Sequence, residues 1–136
     1  MDDCLAAKRV LDDGNSCVLC YKGMVFTNNK KSLLPLMEFL DSKFDFSMFS
    51  SASNYVDLHH AMFYVKLGIK NIYADKLTKP AKELFDKYSF TYHFKELVDF
   101  SINAYEYQLY ELVKDITDID LGIKLLEENI KETKEV

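Results

Sequence analysis

The chain has 136 residues, 49% of them hydrophobic, and its 17 cationic and 22 acidic side chains give a formal net charge of −5. This length predicts one domain, residues 1–136, whose core is large enough to fold without disulfides or a structural metal. The four glycines and two prolines exclude collagen-like and low-complexity chains, and the many hydrophobic residues exclude intrinsic disorder. We expect no cofactor.

The charge pattern and the number of cysteines limit the possible partners and the cellular location of the protein. Arg9 is the single arginine and the lysines are scattered among carboxylates, so we expect no nucleic-acid binding. No apolar run approaches the ~20 residues that span a bilayer, and the basic start of a signal peptide is missing. Three cysteines, an odd number, fit reduced thiols. The sequence predicts a cytoplasmic protein that does not enter membranes.

Two helices are predicted in the first third of the chain. Asp2 or Asp3 caps the first, and the turn-forming residues 12–15 end it. Ser32 caps the second, a short helix. Its apolar residues recur on one face at helical spacing: Leu33, Leu36, Met37 and Leu40.

Between these helices the sequence predicts a β-hairpin. Residues 16–22 and 24–27 are rich in β-forming side chains and are interrupted at Lys22 and Gly23. A later segment, residues 44–53, alternates aromatic and small side chains. That pattern is compatible with an edge strand or with a packed loop, and the sequence leaves both open.

The middle of the chain alternates helices with strands. If residues 55–67 form a helix, apolar side chains occur on almost every side of it. This pattern predicts a central helix that is buried on more than one side and ends at Gly68. Residues 71–76 form an interior strand, and Thr78 opens another helix. The apolar positions of that helix are Ala81, Leu84, Phe85 and Tyr88. Residues 90–94 form a further strand.

The last third is helical. Residues 105–116 form one helix, and Asp118 or Asp120 caps another, with an apolar stripe of Ile119, Ile123, Leu126 and Ile130. The element order predicts a three-layer α/β/α sandwich. Its mixed sheet has four or five strands, and residues 105–136 are a helical extension packed on it. The extension contains three tyrosines at mixed helical spacing, Tyr105, Tyr107 and Tyr110. This pattern fits the edge of the core or a homodimer interface.

Four segments resemble a known family: residues 7–11, 16–27, 68–74 and 80–84. The chain is similar over almost its whole length to a small prokaryotic family, a domain of unknown function that carries a cytidine-deaminase-like fold without the deaminase zinc. The resemblance implies that fold for this chain. It implies no activity, because the family has no established one.

The zinc motifs of a deaminase are incomplete in this sequence. Such an enzyme needs H-x-E at the start of one helix and P-C-x-x-C at the start of the next. Ala81 and Leu84 stand where the two thiolates would be, and Met62 stands two residues after His60 in place of glutamate. None of these side chains supplies the missing chemistry. We therefore expect no zinc and no hydrolytic deamination.

A second possible metal or redox motif, Cys17 and Cys20, spells C-x-x-C. Because it lies in a predicted strand, the two side chains point to opposite faces, so we interpret them as buried structural thiols. The four glycines are too far apart for a phosphate-binding loop.

His59 and His60 form the unusual pair of this sequence, and Asp57 lies three residues before His60 on the same helical face. A carboxylate there can fix the tautomer of His60 and raise its pKa, as for a general base. The simpler interpretation is a histidine satisfied by a neighbour on a crowded helix.

Two functions from different classes follow. The leading hypothesis is a non-catalytic module that binds a small ligand or another protein on a deaminase-like scaffold. The alternative is a metal-free enzyme that uses Asp57 and His60 as acid and base on a nucleobase-like or other small polar substrate. Either way, the pocket is expected beyond the carboxyl ends of the strands, at the N-terminus of the central helix. Its predicted ligand-binding residues are Asn54, Asp57, His59, His60 and Thr78.

Overall fold

The computed structural model describes residues 3–12 and 16–135, with side chains for 5–11 and 16–131. The elements in chain order are α1 (Asp3–Asp12), β1 (Cys17–Tyr21), β2 (Met24–Asn28), α2 (Leu34–Asp41), β3 (Ser50–Val56), α3 (Leu58–Leu67), β4 (Asn71–Thr78), α4 (Lys79–Lys87), β5 (Thr91–Val98), α5 (Ala104–Val113) and α6 (Ile119–Glu135). The predicted cap of α1, the side chain of Asp2 or Asp3, and the turn residues 13–15 lie outside the described part.

The strands form one mixed five-stranded sheet in the order β2-β1-β3-β4-β5. β1 pairs antiparallel with both β2 and β3, whereas β3, β4 and β5 run parallel. The connections of the parallel strands are the helices α3 and α4. The predicted α/β class and the predicted mixed sheet are therefore confirmed.

The hairpin of β1 and β2 is as predicted. Lys22 and Gly23 occupy the turn with φ values of 45° and 85°. Positive φ at both central residues is what a type I′ turn requires, and its twist matches the twist of the paired strands. The pairing sets Cys17 opposite Asn28 and Tyr21 opposite Met24.

β3 differs most from the sequence-based expectation. The segment left open, residues 44–53, is a loop to residue 49 and then the start of an interior strand between β1 and β4. Tyr55 and Val56, predicted as the first turn of the central helix, end that strand and pair with Lys76 and Leu77. The helical prediction was wrong there because Asp57 caps the helix and stops it from extending backward.

Each face of the sheet packs on helices. α1 covers one face and forms a small core with β1, β3 and β4, made of Ala7, Leu11, Val18, Cys20, Ala52 and Tyr73. The larger core lies on the other face, where α3 and α4 follow the parallel strands. α5 and α6 pack against α3.

α3 is the buried centre of the larger core. Six of its residues, His59 to Tyr64, are buried, and Gly68 ends the helix in the left-handed conformation at φ 74°. The prediction of a helix buried on more than one side is confirmed. No helix that the structure describes is long and apolar enough to cross a lipid bilayer.

The predicted role of Ser32 was wrong. The N-cap of α2 is Leu33, and no side chain caps that helix end. Ser32 lies one residue earlier, at a left-handed φ of 57°, and its hydroxyl is turned toward α5, where it bonds Glu106. β4 and β5 also extend further than predicted, to Thr78 and Val98.

Candidate functional site

Asp57 connects four segments at the carboxyl ends of the parallel strands. Its Oδ1 accepts hydrogen bonds from the Leu58 N–H (2.7 Å) and the Thr78 hydroxyl (3.0 Å). Its Oδ2 accepts from the hydroxyls of Tyr55 and Ser101, both at 2.5 Å. These four donors come from β3, the start of α3, the end of β4 and the loop after β5. We call this arrangement the Asp57 junction.

The carboxylate of the junction is ionised and enclosed. Burial raises the pKa of Asp57, but the nearby His59 and the hydrogen bonds from Ser101, Tyr55 and Leu58 outweigh it, so that the pKa lies below the ordinary value. The residue is 1% exposed. Because each oxygen already accepts two hydrogen bonds, the full capacity of a carboxylate is used within the protein.

His60 completes the capping of α3. Its Nδ1 accepts the backbone N–H of Asp57 at 3.1 Å, so the proton of the neutral ring is on Nε2. Burial lowers the pKa of His60 to about 3, with His59 acting in the same direction and Glu106 and Asp57 acting against it. Asp57 raises the pKa of His60, as hypothesised, but the desolvation of the fully buried ring outweighs this effect, and the net shift is downward.

A second carboxylate, Glu106 on α5, lies on the other side of the two histidines. Its Oε1 accepts from the Ser32 hydroxyl at 2.8 Å and lies 2.9 Å from Nε2 of His59. Its Oε2 lies 3.1 Å from the same hydroxyl. Asn103 caps α5 by accepting the Glu106 N–H at 2.9 Å. We call Glu106, Ser32 and His59 the Glu106 cluster.

Glu106 is also ionised. Burial raises its pKa, but the hydrogen bond with His59, the electrostatic interaction with both histidine rings and the Ser32 hydroxyl outweigh burial and lower the pKa. His59 is completely buried, and its Nδ1 has no hydrogen-bond partner among the described residues. The cluster therefore holds a negative charge at 5% exposure.

A cavity of about 620 Å³ opens beside the Glu106 cluster. It lies at the carboxyl end of β3 and is closed by the start of α2 and the start of α5. The lining residues are Ser16, Cys17, Lys31, Ser32, Leu34, Pro35, Leu36, Ser53, Asn54, Tyr55, His60, Lys76, Ile102, Asn103, Tyr105 and Glu106. Its volume is within the range of about 300–1,000 Å³ that is usual for small-molecule sites.

Some of the predicted site residues line the cavity, and the others lie behind its lining. Asn54 and His60 line the cavity. Asp57 and Thr78 lie in the Asp57 junction, hydrogen-bonded to each other, and His59 lies behind Glu106. The predicted residues are thus neighbours, but three of the five do not line the cavity.

Several lining residues were missed. Glu106 and Ser32 are 74 positions apart and meet because α2 and α5 both pack against α3. The spacing of Asn103 and Glu106 is a capping signal that locates the start of α5, yet it does not show where the Glu106 side chain points. Lys31 and Lys76 looked like ordinary solvated lysines in the sequence.

A metal ion is the first alternative to consider for two histidines beside a carboxylate. Of the described residues, His59, His60 and Glu106 have ligand atoms within 4.8 Å of one another. The hydrogen bonds do not fit that use, because the Asp57 N–H occupies Nδ1 of His60 and leaves the proton on the Nε2 that faces Glu106. A metal-binding histidine normally donates its other N–H instead.

The two cysteines of the C-x-x-C pattern lie on opposite faces, as predicted. Cys17 belongs to the larger core and Cys20 to the smaller core under α1. The Cys17 sulfur is 3.7 Å from the Tyr64 hydroxyl, and burial raises the pKa of this thiol to about 11. Although Cys17 lines the cavity, it is an unreactive thiol at neutral pH.

A family profile described as "Domain of unknown function (DUF1893)" matches residues 6–130. The chain belongs to the DUF1893 family. A solved structure, that of the DUF1893 family protein TM1506 from Thermotoga maritima, is similar with a TM-score of 0.82 and 22% identity. The match covers 95% of this chain and 91% of that one, and it supports the fold alone. No match is found among curated proteins.

Proposed function

We propose that this DUF1893 domain binds a small polar molecule in the 620 Å³ cavity and does not convert it. The observation that carries the proposal is Glu106, an ionised carboxylate buried to 5% exposure that nevertheless borders the cavity. A buried charge is costly unless it is paired. His59 and Ser32 pair Glu106 only in part, and a bound molecule with a hydrogen-bond donor fills the acceptor position that remains.

The absence of turnover is part of the proposal. An acid–base enzyme built on Asp57 and His60 needs a free lone pair on whichever of the two acts as the general base. All four acceptor positions of Asp57 are occupied, and Nδ1 of His60 takes the Asp57 N–H. Using either group on a substrate would break the cap of α3. These contacts favour the binding module over the metal-free enzyme.

The deaminase-like scaffold belongs to the same proposal. In zinc deaminases the metal lies between the starts of two helices that follow neighbouring parallel strands. Here the caps of α3 and α4, Asp57 and Thr78, bond each other at 3.0 Å. Ala81 follows in the first turn of α4 with its N–H on the Thr78 hydroxyl. This direct contact supports a scaffold in which a hydrogen bond replaces the zinc.

We extend the proposal to the cellular compartment and the partners of the protein. Cys17 and Cys20 face opposite sides of the sheet and cannot form a disulfide with each other, which suits a reducing cytoplasm. Tyr105 and Tyr107 are nearly half exposed on α5 and supply aromatic surface suited to a homodimer. A single arginine argues against nucleic acid as a partner.

The test is a crystallographic fragment screen on the wild type and on Glu106→Gln. Fragments with N–H donors are expected in the cavity of the wild type and at reduced occupancy in the variant. Glu83→Gln is the matched control, because Glu83 is exposed on α4 and remote from the cavity lining. Hits elsewhere with an empty cavity would overturn the proposal.

Turnover is measured separately, by mass spectrometry of a metabolite mixture incubated with wild-type protein and with His60→Asn. Unchanged metabolites support binding without conversion. Conversion by the wild type that His60→Asn abolishes would establish the enzyme instead.

A further inference from the structure

The cavity contains three chemically different parts. One buried carboxylate, Glu106, lies at the base. Two exposed lysines, Lys31 and Lys76, belong to the lining. The remaining wall is largely apolar, with contributions from α2 and from the start of α5. Because a bound molecule must match all three, their combination defines a chemical class.

The free capacity of Glu106 defines one end of that molecule. Its Oε1 already has two partners, His59 and Ser32, whereas Oε2 has one, the same Ser32 hydroxyl at 3.1 Å. A carboxylate accepts about four hydrogen bonds. The open position is therefore on Oε2 and suits a single N–H donor better than a two-pronged guanidinium, which needs both oxygens.

Lys31 and Lys76 define the other end of the bound molecule. Among the described residues, five other lysines form ion pairs with carboxylates, and several exposed lysines form none; the five are Lys30, Lys66, Lys79, Lys82 and Lys114. Lys31 and Lys76 pair with no carboxylate among the described residues. They come from different elements, the turn before α2 and the strand β4, and both line the same cavity. Two cationic residues in the lining of one cavity, neither of them in an ion pair, favour an anion.

The apolar wall of the cavity defines the middle part of the bound molecule. Leu34, Pro35 and Ile102 give an apolar surface, and Tyr105, a residue that is 47% exposed, belongs to the same lining. Aromatic side chains of this kind hold flat rings by stacking. The cavity volume of about 620 Å³ also leaves room for a ring system.

We propose that the cavity binds an anionic aromatic amine, a planar ring with an amino group directed at Glu106 and a phosphate or carboxylate directed at Lys31 and Lys76. This inference rests on the proposed function and names its ligand class. Aminopurine nucleotides and aromatic amino carboxylates share this chemistry. The experiment distinguishes the two sources.

Isothermal titration of the wild type uses matched pairs of compounds. Adenosine 5′-monophosphate is compared with purine riboside 5′-monophosphate, which lacks the amino group, and 4-aminobenzoate is compared with benzoate. In at least one pair the amine is expected to bind about tenfold more tightly, the value of one hydrogen bond to a charged group. Adenosine, without the phosphate, is expected to bind about tenfold more weakly than its monophosphate.

Two variants assign these preferences to residues. Glu106→Gln is expected to remove most of the amine preference, and the double variant of Lys31→Ala with Lys76→Ala is expected to remove the phosphate preference. Lys70→Ala is the control, since Lys70 is exposed and does not line the cavity. Because the matched compounds are compared on the wild type, the test holds even if a variant does not fold.

The contrary results are equally definite. Equal affinities within both pairs, or an amine preference that survives Glu106→Gln, would overturn the ligand class. If none of these compounds binds while neutral fragments occupy the cavity, the ligand class is wrong and the proposed function stands. If the cavity takes neither, both proposals are wrong.

Discussion

The Asp57 junction and the Glu106 cluster are two buried carboxylate sites that differ in their unused hydrogen-bonding capacity. Both residues are almost fully buried, at 1% and 5% exposure, and both have a lowered pKa. Asp57 accepts four hydrogen bonds from four residues of the chain. Glu106 is held by two side chains and borders a cavity.

The difference separates a structural carboxylate from a binding one. At Asp57 the ionised state is fully compensated within the fold, and the residue fixes β3, α3, β4 and the loop before α5 relative to one another. At Glu106 the fold leaves one acceptor position unused beside an open volume. Saturation, not burial or charge, is the property that distinguishes them.

The largest expected effect comes from removing the charge at each site in turn. Asp57→Asn is expected to lower the free energy of unfolding by about 3 kcal/mol, because it weakens four hydrogen bonds to a charged group and the cap of α3. Glu106→Gln is expected to lower it by about 1 kcal/mol, since fewer donors depend on it. Urea denaturation of both variants measures the difference, with Glu83→Gln as an exposed control.

Equal losses at the two positions would remove the distinction. Glu106 would then be a structural residue of the same kind as Asp57, and its position beside the cavity would carry no functional meaning. A larger loss for Glu106→Gln than for Asp57→Asn would reverse the assignment.

His60 lies between the two carboxylates and gives the next largest effect, a dependence of stability on pH. Its pKa is about 3 in the folded protein against 6.5 for a free histidine. Between these values the unfolded chain takes up a proton that the native protein does not, so stability falls as pH decreases through this window. The maximum slope is about 1.4 kcal/mol per pH unit.

The measurement compares wild type and His60→Asn by urea denaturation at pH 6.5 and pH 5.0. The asparagine oxygen can still accept the Asp57 N–H, so the cap of α3 is preserved. The wild type is expected to lose about 2 kcal/mol more than the variant over this interval. Parallel losses in the two proteins would mean that His60 does not titrate as its burial requires.

Sequence patterns located the helices and the hairpin but misplaced the central strand. The turn at Lys22 and Gly23 and the cap at Thr78 are local signals, set by backbone conformation and by one hydrogen bond. β3 has a weak signal because its buried positions include Ser50, Ser51 and Ser53 in place of β-branched residues. Their hydroxyls are satisfied by distant partners, such as Tyr64 for Ser51.

The candidate site was predictable only in part for the same reason. Asp57 was singled out by a local signal, its spacing of three residues before His60, although the sequence placed it inside the central helix and not at its cap. Glu106 meets His59 across 47 positions and Ser32 across 74. No local spacing encodes these contacts, which arise when α2 and α5 pack against α3.

The smallest expected effect concerns the hydroxyl donor at each carboxylate. Ser32→Ala removes a donor to Glu106 and is expected to cost about 1 kcal/mol in unfolding free energy, whereas Ser101→Ala, at the saturated Asp57, is expected to cost about 2 kcal/mol. Ser32 also holds a left-handed φ of 57°, a conformation that penalises a Cβ by about 1 kcal/mol. Ser32→Gly loses the same hydrogen bond but relieves this strain, so it is expected to be more stable than Ser32→Ala. Thermal and urea denaturation of the three variants measure the order, and a Ser32→Gly variant less stable than Ser32→Ala would show that the backbone there is not strained by its side chain.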